Sequence, residues 1–203
     1  YGLVGSEMCI RDRRYTCENG TDLLLELPEG HIWLGGEESS KDGTIFNANI
    51  PTEEVFSAPQ YNGVNGIVYS TKPLIYHGNT ISDFSFTFKE GKIVEYTAKE
   101  GYEVLKELVE TDEGSHYLGE VALVDHFSPI SQSNQIFYET LFDENASCHL
   151  AIGASYPTCL KNSDGLSEEE LKERGLNHSL THVDFMIGHE HMNIKGYTRD
   201  GQA

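Results

Sequence analysis

Basic side chains are scarce in this sequence. It has 14 Lys and Arg residues against 33 Asp and Glu residues, a formal net charge of −19 over 203 residues. A surface of this sign repels phosphate groups, so neither nucleic acids nor anionic membranes are expected partners. Carboxylates are also ligands for divalent cations, and the charge balance therefore points toward metal binding.

Long apolar runs and paired cysteines are lacking too. No stretch of about 18 or more apolar residues occurs, which excludes a transmembrane helix. No apolar segment with a positive flank stands at the N-terminus, so no signal peptide is expected. The four cysteines have no CxxC spacing and are too few for a disulfide scaffold (Cys9, Cys17, Cys148, Cys159). These features predict a cytoplasmic protein with reduced thiols.

The first residues differ in character from the rest. The chain begins with Tyr1 rather than Met, and YGLVGSEMCIRDR (Tyr1 to Arg13) resembles a translated sequencing-adapter sequence. We therefore expect residues 1–13 to be non-native and leave them out of the fold prediction, with a genuine strand as the alternative. Residues 14–203 contain no repeats and no low-complexity linker, which favours a single domain.

Alternating apolar residues predict several strands. Leu23 to Leu27 is a buried-strand candidate that ends at a Pro-Glu-Gly turn. In Phe84 to Phe88, strict alternation places three phenylalanines on one face, and a turn then leads to Ile93 to Tyr96 as the hairpin partner. Further strands are predicted at Gly119 to Val124 and His182 to Ile187.

Helical patterns are fewer and shorter. Apolar residues recur at helical spacing between Gly101 and Glu110, which predicts an amphipathic helix. A second helix is expected after Ser167, which can cap it, with Glu169 and Glu170 in the first turn. Many short strands with a few short helices predict the α+β class, as a strand-rich domain built on a mixed sheet.

One pair of adjacent carboxylates could carry chemistry. In NIPTEEVF (Asn49 to Phe56), Pro51 and Thr52 suit a helix start, which predicts Glu53 and Glu54 in its first turn. Adjacent side chains point in different directions, so the two carboxylates are expected to have different roles. The alternative is an ordinary solvated helix N-terminus.

Two further segments contain candidate polar residues. Glu120 heads an apolar strand, where burial is costly unless the carboxylate is paired or binds a cation; the alternative is an edge position open to water. In DENASCHLAIGASYP, His149 and Tyr156 are candidates, or simply hydrogen-bonded residues. Cys148 beside His149 also raises a cysteine nucleophile with a neighbouring base, but sequence neighbours seldom face each other.

The strongest local pattern is HVDFMIG (His182 to Gly188). His182 and Asp184 are two apart on a predicted strand, so imidazole and carboxylate share a face and could hold one cation. The alternative is an exposed strand face. His189 and His191 also alternate, but no apolar strand encloses them, and we expect surface residues there.

The four segments described above together supply a mixed set of oxygen and nitrogen ligands. Such a set suits two divalent ions that share a bridging carboxylate, located at strand ends and loops. No compact motif links the segments, so spacing alone does not establish the site. The candidate ligands are Glu54, Glu120, His149, His182 and Asp184.

Several longer motifs carry a resemblance. The sequence is similar to the thermophilic metallo-aminopeptidases, the family of aminopeptidases T and S, over about Tyr15 to Gln202. It covers the C-terminal half of such an enzyme, without the N-terminal domain and the last segment. The motifs, in family order, are TDL, LPEGHIWLGG, NIPTEEVF, GIVYSTKPL, LGEVALV, SPIS, LFDENASCHLAIG and HVDFMIG.

The resemblance implies an exopeptidase that acts on peptides with a free N-terminus. It implies that the five candidates above are the ligands of two divalent ions (zinc, cobalt, magnesium or manganese), with Glu120 bridging, and that the ions activate a water. It also implies that Tyr156 stabilises the tetrahedral intermediate and that the full-length enzyme is a homodimer. Glu53 is our hypothesis for the general base.

Two departures and two alternatives remain. DHFSPI (Asp125 to Ile130) and GHEHMNI (Gly188 to Ile194) differ from the family pattern, and the isolated C-terminal half is expected to be weakly active or inactive. One alternative is a catalytically silent metal-binding module of the same fold, which would need neither Glu53 nor Tyr156. The other is a cysteine hydrolase that uses Cys148 and His149.

Overall fold

Strands dominate the architecture. The computed structural model describes residues 10–36, 38–47 and 53–198. Their strands are β1 (Ile10–Thr16), β2 (Asp22–Glu26), β3 (Glu38–Ser39), β4 (Ile45–Phe46), β5 (Glu54–Ser57), β6 (Val64–Tyr69), β7 (Leu74–Tyr76), β8 (Asn79–Lys89), β9 (Lys92–Glu100), β10 (Leu118–Val124), β11 (His149–Gly153), β12 (His182–Met186) and β13 (Asn193–Thr198).

The strands form two main sheets and a small hairpin. The larger sheet has seven strands in the order β13-β1-β2-β6-β8-β7, with β9 also paired to β8. The smaller sheet has the order β12-β11-β10-β5, and β3 pairs with β4. Every pairing among the described strands is antiparallel. The predicted strand-rich α+β class is confirmed, but the described strands pair in antiparallel fashion and do not form the mixed sheet that was expected.

The two sheets pack face to face on an aromatic core. Phe84 and Phe86 of β8 contact Phe185 of β12, with ring centroids 5.9 and 5.1 Å apart. The predicted alternation in β8 is confirmed, since its three phenylalanines are all buried in the main cluster. The smaller sheet therefore has one face packed against the larger sheet, and its charged side chains lie on the other face.

Helices are short and peripheral: α1 (Tyr102–Val109), α2 (Pro129–Ser133), α3 (Thr140–Asp143) and α4 (Glu168–Glu173), with 3₁₀ turns η1 (Gly114–His116), η2 (Glu144–Ala146) and η3 (Pro157–Cys159). Helix α1 buries Leu105, Leu108 and Val109, as its periodicity predicts. Ser167 caps α4 in a reciprocal capping box with Glu170. No helix among the described residues is long and apolar enough to cross a bilayer.

Two sequence-based expectations were wrong. Residues Ile10 to Arg13, left out of the fold prediction, form the first half of β1 and pair with β2 and β13. Ladder hydrogen bonds use backbone groups, so pairing does not require a particular sequence. The origin of residues 1–13 stays a prediction, and residues 1–9 lie outside the described part.

The predicted helix start at Glu53 and Glu54 was also wrong. Pro51 and Thr52 lie outside the described residues, but Glu54 is the first residue of β5 and pairs with Val124 of β10. Cross-strand pairing with an apolar neighbour overrides the local preference of a Pro-Thr-Glu-Glu segment for a helix N-terminus.

Candidate metal centre

The register of the smaller sheet places five polar side chains on one face. Glu120 of β10 lies opposite Ala151 of β11, which in turn lies opposite Asp184 of β12. The alternate residues Leu150 and Ile152 point into the main core. Ala151 contributes only a methyl group between the two carboxylates, so the face has room above it. The predicted sharing of a face by His182 and Asp184 is confirmed by an Nε2–Oδ1 distance of 3.6 Å.

A β-bulge directs Glu120 to this face. The β10–β11 register shifts between Leu118 and Glu120, so Gly119 is the extra residue. Leu118 and Val121 are both fully buried in the core, while Glu120 points away from it. The alternative of a water-exposed edge position is wrong, because β10 lies inside the sheet and Glu120 is only 5% exposed.

Glu120 is shared by two ligand groups. The first group comprises Glu54, Glu120 and His149, and the second comprises Glu120, His182 and Asp184; within each, one ligand atom per residue lies within 4.8 Å of the others. The Oε1 atom of Glu120 is 3.4 Å from Nε2 of His149, and its Oε2 atom is 3.6 Å from Nε2 of His182. One carboxylate thus faces both groups.

Backbone carbonyls orient both imidazoles. Nδ1 of His149 lies 3.1 Å from the Ser147 carbonyl, and Nδ1 of His182 lies 2.7 Å from the Ala154 carbonyl. A proton on Nδ1 is needed for these contacts, so each neutral imidazole turns the lone pair of Nε2 toward carboxylates. Lone pairs that face each other repel unless a cation or a proton lies between them.

The donor atoms fit a divalent cation better than they fit each other. Nε2 of His149 is 2.9 Å from Oε2 of Glu54. Yet His149 Nε2, Glu54 Oε2 and Asp184 Oδ1 are buried and make no well-directed hydrogen bond within the described part of the chain. Buried polar atoms are normally satisfied. Converging atoms without mutual hydrogen bonds are what a metal-ligand set requires.

Charges within this face perturb the pKa values of its members. Burial disfavours protonation of His182, but Asp184 and Glu120 outweigh it and raise the pKa to about 9. Burial likewise opposes protonation of His149, while Glu120 and Glu54 raise its pKa well above the usual value. Burial, together with the charge of Asp184, raises the pKa of Glu120.

Tyr156 lies at the border of the second group. Its ring is 4.8 Å from the ring of His182 and makes an edge contact with Phe56 at 6.2 Å. The side chain is 48% exposed, so a molecule entering from solvent can reach the phenol. Partial burial and the charges of Glu120 and Asp184 raise its pKa, which keeps the hydroxyl protonated as a donor.

Glu53 borders the first group without belonging to it. Its backbone N–H donates to Oδ1 of Asn145 at 2.7 Å. Its Oε2 atom is buried and has no hydrogen-bond partner among the residues that are described. Glu54 belongs to the first ligand group, whereas Glu53 belongs to neither group.

Glu144, in η2, is a carboxylate that sequence reasoning missed. It is buried, and burial together with the charges of Glu54 and Asp184 raises its pKa to about 8. It therefore lies within the electrostatic reach of the centre. Nothing in the sequence singled it out, because a polar residue just before a strand is usually exposed.

The geometry contradicts the cysteine-hydrolase interpretation. The thiol of Cys148 lies 3.4 Å from the Val124 carbonyl, and burial raises its pKa. His149 turns Nε2 toward Glu54 instead.

His189 is only partly buried and His191 is exposed, near the exposed Glu18 and Glu190. Neither belongs to the two ligand groups.

The chain matches a known protein family. The family profile described as thermophilic metalloprotease (M29) matches residues 7–203. The chain belongs to the M29 metalloprotease family. The predicted resemblance is confirmed. The two carboxylate–histidine groups are the kind of ligand set that a metalloprotease requires.

Relatives within the M29 family carry aminopeptidase names. Aminopeptidase AmpS of Bacillus subtilis (strain 168) is 59% identical over 183 residues, 90% of this chain and 45% of that protein. Aminopeptidase 2 of Geobacillus stearothermophilus is 57% identical over 183 residues, 90% of this chain and 44% of that protein. The chain thus spans about half the length of these relatives.

A solved M29 structure shares the fold. Wild-type AmpT from Thermus thermophilus superposes with a TM-score of 0.92 at 41% identity, covering 99% of this chain and 50% of that chain. The fold described above is therefore shared with half of that chain.

Proposed function

We propose that this chain is the metal-binding catalytic region of an aminopeptidase that removes N-terminal residues from peptides. The observation that carries the proposal is Glu120, whose two oxygens face His149 and His182 separately. A carboxylate in this position can bridge two ions, which suits a dinuclear hydrolase. The aminopeptidase names of relatives at 57% and 59% identity support the same activity.

The five polar residues of the sheet face are the proposed ligands. Glu54 and His149 would hold one ion, His182 and Asp184 would hold the other, and Glu120 would be shared between them. Divalent ions bound there would polarise a scissile carbonyl, acidify a water and accept a free α-amine as a ligand. Zinc, cobalt, magnesium and manganese all accept this mixture of carboxylate and imidazole.

Glu53 and Tyr156 are the proposed catalytic residues. Oε2 of Glu53, which lacks a hydrogen-bond partner in the described part, accepts the proton of the attacking water. The phenol of Tyr156, kept protonated by its raised pKa, donates to the carbonyl oxygen as negative charge develops there. A silent metal-binding module would need neither group, and the presence of both favours the enzyme.

Substrates and assembly follow from the same proposal. The expected substrates are peptides with a free N-terminus, and the full-length protein is proposed to act as a homodimer. The relatives are about twice as long as this chain, and we propose that the half described here is a poor catalyst alone.

Metal content and peptidase activity should be measured together. The full-length protein is stripped with a chelator, reloaded with zinc or cobalt, and assayed on a dipeptide amide and on its N-acetylated twin. About two ions per chain, with activity restored only on the free amine, support the proposal. Metal binding without turnover supports the silent module, and failure to bind metal refutes the ligand set.

A further inference from the structure

The link between Asn145 and Glu53 has no role in the reaction steps above. Asn145 is fully buried, and its side-chain oxygen accepts the Glu53 N–H at 2.7 Å across 92 residues of sequence. A backbone N–H can only donate, so the atom facing it must be the amide oxygen. This bond joins η2, which leads into His149, to the start of β5.

The bond lies where the sheet ends. Pairing of β5 with β10 stops at Glu54 and Val124, so the backbone of Glu53 is beyond the ladder. Glu54, the first residue of the strand, has its carboxylate 2.9 Å from His149. Strand ends fray unless another group holds them. The Asn145 side chain continues the backbone hydrogen bonding by one residue, next to a proposed ligand.

The amide is better suited to this place than a carboxylate. Its neighbour Glu144 already has a pKa raised by burial and by the charges of Glu54 and Asp184. Another buried negative charge would add to that repulsion. An asparagine supplies an acceptor oxygen without a charge.

We propose that Asn145 is a positioning residue for the first ligand group, and that it acts by fixing the backbone from which Glu54 and Glu53 project. This inference rests on the proposed dinuclear centre. His182 and Asp184 of the second group lie on β12 and Glu120 lies on β10, so no member of that group projects from the start of β5. Loss of the Asn145 oxygen should therefore weaken one of the two ions selectively.

The test uses full-length protein, stripped with chelator and titrated with zinc at controlled free concentrations. Asn145→Ala should lower the affinity for one ion by about 10-fold to 100-fold and leave the other ion bound. The double variant of Asn145→Ala with Glu54→Gln should bind zinc no more weakly than Glu54→Gln alone. The double variant with Asp184→Asn should lose both ions. Asn145→Asp, which keeps an acceptor oxygen but adds a buried charge, should bind the weakened ion better than Asn145→Ala while lowering the melting temperature. If Asn145→Ala does not fold, Asn145→Leu fills the same volume and carries the same expectation.

Asn177→Ala is the matched control. Asn177 is also buried, and its amide donates to the carbonyls of Gly114 and Gly153 at 2.7 Å, away from β5. It should lower the melting temperature without weakening the ion that Asn145→Ala loses. The inference is overturned if Asn145→Ala binds both ions normally, or weakens both in parallel with its loss of stability. Wild-type protein that binds no zinc would instead refute the proposed centre itself.

Discussion

Gly119 is in close backbone contact with Ala154. A Cβ atom added to Gly119 would lie 2.2 Å from the Ala154 carbonyl oxygen, far inside van der Waals distance. The same oxygen lies 2.7 Å from Nδ1 of His182. The glycine of the bulge therefore allows the carbonyl to orient a proposed metal ligand.

We expect Gly119→Ala to weaken the ion held by His182 and Asp184. The new methyl must displace the Ala154 carbonyl, so His182 loses the partner that orients it, and affinity for that ion should fall about tenfold or more. Gly78→Ala is the control, because a Cβ there meets no atom within 4 Å. With φ at +76°, it should cost about 1 kcal/mol of stability and leave zinc binding unchanged. Zinc titration of both variants measures this difference. If Gly119→Ala binds zinc with the same affinity as Gly78→Ala, the role of Gly119 is contradicted.

Glu120 and Asp184 should differ in how many ions depend on them. Glu120 faces both ligand groups and Asp184 only one. Glu120→Gln should therefore lose both ions under conditions where Asp184→Asn retains one. Metal analysis at limiting free zinc measures the difference. If Glu120→Gln retains one ion as firmly as Asp184→Asn does, the bridging role is wrong.

The small side chain of Ala151 should be required for metal binding. It is fully buried and lies between Glu120 and Asp184 in register. Ala151→Val adds two methyl groups where the carboxylates must converge, so zinc affinity should drop, with an overpacking cost of about 1–3 kcal/mol. Ala98→Val in β9, on the larger sheet, is the control and should bind zinc normally. Unchanged zinc affinity in Ala151→Val would show that the face has more room than the register indicates.

Asp112 should stabilise the loop that leads into β12 in a pH-dependent way. It accepts hydrogen bonds from Leu180 N at 2.6 Å and Ser115 N at 2.8 Å. Burial disfavours its ionised form, but these bonds and one from Ser179 lower the pKa. Asp112→Ala should lower the free energy of unfolding by about 2 kcal/mol at neutral pH.

The stabilisation by Asp112 should decrease at low pH because its pKa is lowered in the folded state. A carboxyl group with a lowered folded-state pKa stabilises the protein above its unfolded pKa of about 3.9, and this stability is lost as the pH falls through the folded value. The difference between wild type and Asp112→Ala should therefore shrink below about pH 4. Urea unfolding of the chelator-treated proteins from pH 7 to 3 measures this difference in unfolding free energy. A difference that stays constant with pH would contradict the prediction. Lys99→Ala, which removes an exposed ion pair with Asp83, should have little effect at any pH.

Local patterns predicted the elements whose structure is local. The alternation of Phe84, Phe86 and Phe88, the helical spacing of Leu105 and Leu108, and the cap at Ser167 are all found as expected. These signals depend on side chains a few residues apart, which share a face whatever the rest of the chain does.

Contacts between distant segments could not be predicted in the same way. Strand β11 was not anticipated, although it lies between β10 and β12 and supplies His149. Glu54 begins a strand because Val124 pairs with it, and Asn145 was not noticed because its partner is 92 residues away. Such pairings leave no periodic signal within either segment.

The sequence by itself determined the chemistry that is available: an excess of carboxylates, a His-X-Asp strand, the strand-rich class and the family. Only the tertiary structure decided that Glu54, Glu120, His149, His182 and Asp184 meet on one sheet face. That outcome depends on the register of four antiparallel strands and on the bulge at Gly119. A shift of one residue in any strand would turn its polar side chains to the opposite face of the sheet.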